Sequence, residues 1–91
     1  MKPRRSKLRI LADILKVISE ENGARITQIL YGANLSYDRL IKYMDELLSK
    51  ELIVERKDKQ GSKYYLTQKG KKFLAEFKRI EKFAEAFGVE I

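Results

Sequence analysis

The 91-residue chain contains no cysteine and no histidine. These two absences exclude disulfides, zinc sites of the Cys/His kind and thiol nucleophiles, and they remove the commonest general base. No run of about 18 apolar residues occurs, so no transmembrane helix is expected. The basic start Met1-Lys2-Pro3-Arg4-Arg5 has the charge of a signal n-region, but Arg9, Asp13 and Lys16 break the apolar stretch that would have to follow. A cytoplasmic protein is therefore expected. There is no Gly-rich phosphate loop, and Asp13, Asp38, Asp45 and Glu46 show no clustered pattern, so no enzyme, metal or cofactor is expected. Repeats, linkers and low-complexity tracts are missing too, which leaves one small domain.

What the chain has is positive charge and enough apolar material to fold. Lys and Arg number 20 against 13 Asp and Glu, a formal net charge of +7, and 44% of residues are hydrophobic. Such a basic excess points to a polyanionic partner, either nucleic acid or an acidic membrane surface.

Periodicity predicts a first helix over Ser6 to Glu21, with Leu8, Leu11, Ile14, Leu15 and Ile18 on one stripe. Ser6 is its expected N-cap, and Asn22-Gly23 its stop through a left-handed glycine. Ala24-Arg25-Ile26 reads as an abbreviated strand, followed by a brief helix capped by Thr27 and broken by Gly32-Ala33-Asn34. Ser36 then caps a longer helix reaching about Lys50, with Leu35 and Leu40 as a hydrophobic staple and Leu40, Met44, Leu47 and Leu48 inward. Two strands, Leu52 to Lys57 and Lys63 to Leu66, flank the polar loop Asp58-Lys59-Gln60-Gly61-Ser62 and predict a hairpin. Alternation along the second strand buries one of Tyr64 and Tyr65 and exposes the other. Thr67 caps a last helix that runs from Gln68 to about Phe87 and stops at Gly88.

The order helix, short helix, turn, helix, basic hairpin, helix resembles a winged helix-turn-helix domain. Asn34-Leu35-Ser36-Tyr37 leading into Leu40 to Leu47 and then Leu52-Ile53 resembles a recognition helix entering the first wing strand. Tyr65-Leu66-Thr67-Gln68-Lys69-Gly70 resembles the Leu-Thr-x-x-Gly signature that closes the wing. Together these runs cover about residues 7 to 75. The nearest likeness is to small archaeal DNA-binding proteins, regulators or chromatin proteins, that dimerise through a long C-terminal helix. That resemblance implies an α+β, mostly α fold, with a three-helix core and a β-hairpin wing. It divides the chain into a DNA-binding part with a basic arm (1–67) and a dimerisation helix (68–91). The family often has glycine just before the Leu-Ile of the first wing strand, where this chain has Glu51.

Physical chemistry supports the same destination. A helix about 10 to 12 Å across fits a major groove about 12 Å wide. With Leu40 inward, Asp38, Arg39, Lys42, Glu46 and Ser49 fall on the outer face of the helix spanning 36–50. Ser36, Tyr37, Arg39, Lys42 and Tyr43 are the candidates for base and phosphate contact, Arg39 forking onto a guanine and Lys42 holding a phosphate. Packing competes with contact at Tyr37 and, in part, at Tyr43. The wing tip 57–63 adds Lys57, Lys59 and Lys63 toward the backbone or minor groove. From Arg56 to Lys72 there are seven cations (Arg56, Lys57, Lys59, Lys63, Lys69, Lys71 and Lys72) and one acid, Asp58. The arm adds Lys2, Arg4, Arg5, Lys7 and Arg9, either as a DNA clamp or as a plain tail.

In the last helix Phe73, Phe77, Ile80, Ala84 and Phe87 alternate in steps of 4 and 3, the spacing of a coiled-coil seam. Phe77, Ile80, Phe83 and Phe87 are expected to extend beyond the domain and to be covered by a second copy, unless they enlarge a monomeric core. The expected partners are thus double-stranded DNA and a second chain, with no membrane and no metal. The competing reading is a winged-helix protein–protein module that binds no DNA.

Overall fold

The computed structural model of the protein describes residues 5–91, so Lys2 and Arg4 of the basic arm lie outside the described residues. Its elements run α1 (Lys7–Glu20), α2 (Ile26–Ala33), α3 (Tyr37–Ser49), β1 (Ile53–Asp58), β2 (Gly61–Leu66) and α4 (Gln68–Ala86). This is the winged-helix arrangement expected: a helical core, a two-stranded antiparallel wing, and a closing helix.

Each helix starts where a hydroxyl satisfies an orphan amide, except one. Ser6 accepts from the Arg9 N–H, Ser36 from the Arg39 N–H, and Thr67 from the Gly70 N–H. The exception is α2, where Arg25 rather than Thr27 stands at the cap. The Gln28 side chain reaches back and accepts from the Arg25 N–H at 2.9 Å. Gly32 also does not break α2. A Cβ there would lie 2.7 Å from Val17 Cγ2, so glycine serves the close approach of α2 to α1.

The helix ends share one geometry. After α1 both Asn22 and Gly23 take positive φ, 52° and 107°, with the Gly23 N–H bonded to Ile18 O. Gly23 is needed for a second reason as well: its Cβ would sit 2.4 Å from the Tyr65 ring. Asn34 ends α2 at φ 56°, and Glu51 ends α3 at φ 60°. Glu51 therefore adopts the conformation that glycine takes cheaply, and α3 ends as a glycine-capped helix would.

The hairpin loop is shorter than predicted. Asp58 pairs with Gly61, leaving Lys59 and Gln60 as the turn, and Gly61 takes φ 113°. Asp58 Oδ1 accepts from the Gln60 N–H at 2.8 Å, which holds the turn closed. The third strand shrinks to one bridge between Ala24 and Tyr64. Tyr64 is the buried member of the tyrosine pair, and Tyr65 lies half-buried between the guanidinium of Arg56 and the ammonium of Lys63.

The core gathers Ile14, Leu15 and Ile18 from α1, Ile29 from α2, and Leu40, Met44 and Leu47 from α3, all essentially solvent-free. Leu74 and Phe77 of α4 belong to the same core. Gly70 lets α4 touch the start of the wing, since a Cβ there would meet Leu52 O at 2.0 Å.

Candidate nucleic-acid interface

The outer surface of α3 is open at its N-terminal end. Ser36, Tyr37, Arg39 and Lys42 are exposed, and Tyr43 is half-buried against the core. Neither Arg39 nor Lys42 enters an ion pair among the described residues. Tyr37 is 59% exposed, which settles its position on the outside rather than in the packing. Glu46 departs from the expected outer face. Lys7 Nζ lies 2.9 Å from its carboxylate and Lys50 Nζ 3.0 Å, and these two hydrogen bonds hold it below the usual carboxylate range.

At the tip of the wing the cations stand clear because Asp58 is tied to another element, while Glu55, farther down β1, accepts a hydrogen bond from the Ser62 hydroxyl. Arg25 Nη2 stands 2.7 Å from Asp58 Oδ2 and 3.1 Å from Gln60 Oε1. The same guanidinium donates to Ser62 O at 3.3 Å. The hydrogen bond to Arg25 is the main reason the Asp58 carboxyl lies below its ordinary value. Lys57 and Lys59 are exposed, and Lys63 is half-buried beside the Tyr65 ring. Arg25 is thus a positioning residue of the wing that the sequence reading passed over. The signal was there: Asp58 is the lone acid among seven cations between Arg56 and Lys72.

Other basic residues prove to be structural. Arg5 pairs with Asp13 at 3.1 Å and donates to Ala33 O and Asn34 O, so it caps the end of α2. Arg9 is ion-paired with Glu81 and lies 5.2 Å over the Phe77 ring. Lys7 pairs with Glu46 at the surface, so all three described cations of the arm, Arg5, Lys7 and Arg9, have partners on the domain. Lys69 Nζ donates to Lys50 O at 3.0 Å and satisfies a carbonyl at the end of α3.

The expected seam on α4 divides. Phe77 is 2% exposed and Ala84 7%, both covered by their own chain, so neither extends outward as expected. The physical reason for Phe77 is that α4 packs on α1, whose Arg9 and Lys16 lie over its ring, whereas Ala84 lies where the chain turns back after α4 and the Val89 N–H bonds its carbonyl. Phe73 is half-buried against the core. The residues left outside are Ile80, Phe83, Phe87 and Val89, at 49%, 68%, 70% and 56% exposure. Phe83 and Phe87 pack against each other with ring centroids 5.0 Å apart and planes tilted by 46°. Among the described residues no helix is long and apolar enough to cross a membrane.

Known proteins share this arrangement. The solved structure of Sso10a-2, a DNA-binding protein from Sulfolobus solfataricus, superposes with a TM-score of 0.82 at 28% identity, covering 91% of this chain and 85% of that one. A MarR family transcriptional regulator from Silicibacter pomeroyi gives 0.77 at 25% identity, over 90% of this chain and 58% of its own. These neighbours are described as a DNA-binding protein and a transcriptional regulator, not as enzymes. An uncharacterized protein of Methanocaldococcus jannaschii is 36% identical over 69 residues, which is 76% of this chain and 66% of that protein. The chain therefore spans just under two thirds of that relative's length. The winged helix-turn-helix family model matches residues 4–85, and the chain belongs to that family.

Proposed function

We propose that the chain binds double-stranded DNA as a homodimer and acts as a transcriptional regulator. In this reading α3 enters the major groove with Ser36, Tyr37, Arg39, Lys42 and the outer edge of Tyr43 toward bases and phosphates. The wing lays Lys57, Lys59 and Lys63 on the backbone or in the minor groove. One observation carries it: two cations on the exposed first turns of α3, unpaired among the described residues, stand in the same domain as a wing whose tip acid, Asp58, is neutralised by Arg25. The described function of Sso10a-2 supports the same reading.

Ile80, Phe83, Phe87 and Val89 support the dimer, because a soluble helix rarely leaves such a strip open to water. Residues 68–91 then do two jobs, closing the core through Leu74 and Phe77 and joining the copies through the distal face. A two-fold dimer offers two recognition helices to half-sites roughly 34 Å apart, about one turn of duplex. With six to ten phosphates neutralised, affinity falls about 10³- to 10⁵-fold between 50 and 200 mM salt.

The test is duplex binding by titration at two salt concentrations. Arg39→Ala combined with Lys42→Ala weakens binding by about 10-fold or more and leaves thermal unfolding unchanged. Lys59→Ala combined with Lys63→Ala lowers the salt slope by about one to two units per dimer. Unaltered affinity in the first variant removes α3 from the interface, and an unaltered slope in the second removes the wing.

A further inference from the structure

The helix assigned to the groove is not itself positive. Between Tyr37 and Ser49 stand two cations, Arg39 and Lys42, against three acids, Asp38, Asp45 and Glu46. Glu46 is neutralised by Lys7 and Lys50. Asp38 and Asp45 are exposed and enter no ion pair among the described residues. With Leu40 inward and a turn of about 100° per residue, Asp38, Lys42, Asp45 and Ser49 form the outermost row of α3. A helix turned outward to grip phosphates would not carry its acids there.

Phosphate affinity has a richer source, since Arg56, Lys57, Lys59 and Lys63 lie on the wing with Asp58 held by Arg25 and only Glu55, which accepts from the Ser62 hydroxyl, as a further acid. The two elements divide the work. In the proposed complex the wing supplies most of the backbone contacts, which leaves the outer row of α3 free to meet base edges beside the phosphate contact of Lys42.

At the base edges a carboxylate is selective. It has only acceptor oxygens, so a phosphate, guanine O6 and N7, and thymine O4 all repel it. Cytosine N4 and adenine N6 are the amino donors in the major groove. Adenine sets its N7 acceptor beside that amino group, which disfavours an acceptor-only side chain spanning both. Cytosine offers the donor without the opposing lone pair. Asp38 lies in the first turn, where a recognition helix reaches base edges.

The helix dipole offers a bland reason for an acid in the first turn. It does not account for Asp45, which lies in the C-terminal half of α3, where the dipole disfavours negative charge. An outward row bearing an acid in each half of the helix calls for a reason other than the dipole.

We infer that Asp38 is a specificity-determining residue, its carboxylate accepting from a cytosine amino group in the major groove. The chain then discriminates sequences instead of coating any duplex. This rests on the DNA-binding reading above.

The experiment selects preferred duplexes from a random library with the full chain. Affinities are then measured for the selected duplex, its single-base variants and random duplex. Wild type should show cytosine at one position of each half-site and lose about 10-fold or more when guanine or thymine replaces it. Asp38→Asn should move that preference to adenine, because a carboxamide can donate to N7 while accepting from N6. Asp38→Ala should erase the preference and bind random duplex more tightly than wild type does. If Asp38→Ala keeps every base preference and lowers only the thermal midpoint, the carboxylate is a helix charge and the inference is overturned. Equal wild-type binding to all duplexes also overturns it while leaving DNA binding intact. No wild-type binding to any duplex at low salt overturns both.

Discussion

Replacing Glu51 by glycine should stabilise this protein. Asn22, Asn34, Glu51 and Gly88 each take a left-handed conformation at a helix end, with φ of 52°, 56°, 60° and 71°. After α3 the Leu52 N–H bonds Leu47 O and the Glu51 N–H bonds Leu48 O, both at 3.0 Å, so this end is fully formed despite its residue. Asparagine tolerates that region and glycine is at ease in it, whereas the glutamate Cβ crowds the backbone. The left-handed conformation costs an L-residue about 1 to 2 kcal/mol. Glycine returns part of this, about 0.4 to 1 kcal/mol, through the greater freedom of its unfolded chain. The net gain is about 1 kcal/mol, which moves the midpoint of a domain this size upward by about 4 to 8 °C. The Thr67 hydroxyl, which donates to Glu51 O at 2.6 Å, keeps its acceptor because only the side chain changes. Differential scanning calorimetry at fixed protein concentration reads the effect, since a dimer has a concentration-dependent midpoint. An unchanged or lowered midpoint would refute the claim that Glu51 is strained.

Three further outcomes are expected. Gly70→Ala should destabilise by about 1 to 3 kcal/mol, because its methyl would drive into Leu52 O; an unmoved denaturant midpoint would show that α4 can slide aside. Phe83→Asp combined with Phe87→Asp should give a monomer by light scattering with native circular dichroism, while Phe77→Asp should unfold the chain; a persistent dimer would place the interface off α4. Glu81→Gln should flatten the acid limb of the stability curve. Its hydrogen bond with Arg9 depresses the Glu81 pKa, so the stabilisation is present above the unfolded value near 4.3 and lost as pH falls through the folded one. Denaturation at neutral and acid pH checks this, and an identical pH dependence in the variant would exclude the pair as a contributor.

Local signals carried far in this chain because each acts over a few residues. Ser6, Ser36 and Thr67 cap three helices as hydroxyls before apolar periodic runs do, and the change of period at Leu52 marks the wing. Local signals fell short at glycines that also serve tertiary packing. Gly23 does end α1 at positive φ, but its close approach to Tyr65, and the whole reason for Gly32 beside Val17, lie with distant neighbours that no window around them contains.

The candidate interface was legible in part for the same reason. Helical angle places Arg39 and Lys42 outward because Leu40 must be inward, and that much follows from a single helix. Which charges remain free is a property of the assembled molecule. Arg25 reaches Asp58 across 33 residues, Lys7 reaches Glu46 across 39, and Arg9 reaches Glu81 across 72.

The amino-acid order alone decided the succession of helices and hairpin, the inward faces and the basic surplus, since these depend on propensity, periodicity and charge count. Only tertiary structure decided that the arm residues Arg5, Lys7 and Arg9 find partners on the domain, that Phe77 packs beside Arg9 and Lys16 of α1, and that Ala84 is buried. It also decided that Ile80, Phe83, Phe87 and Val89 are left bare. Burial and ion pairing depend on what other segments bring alongside, and chain folding sets that proximity.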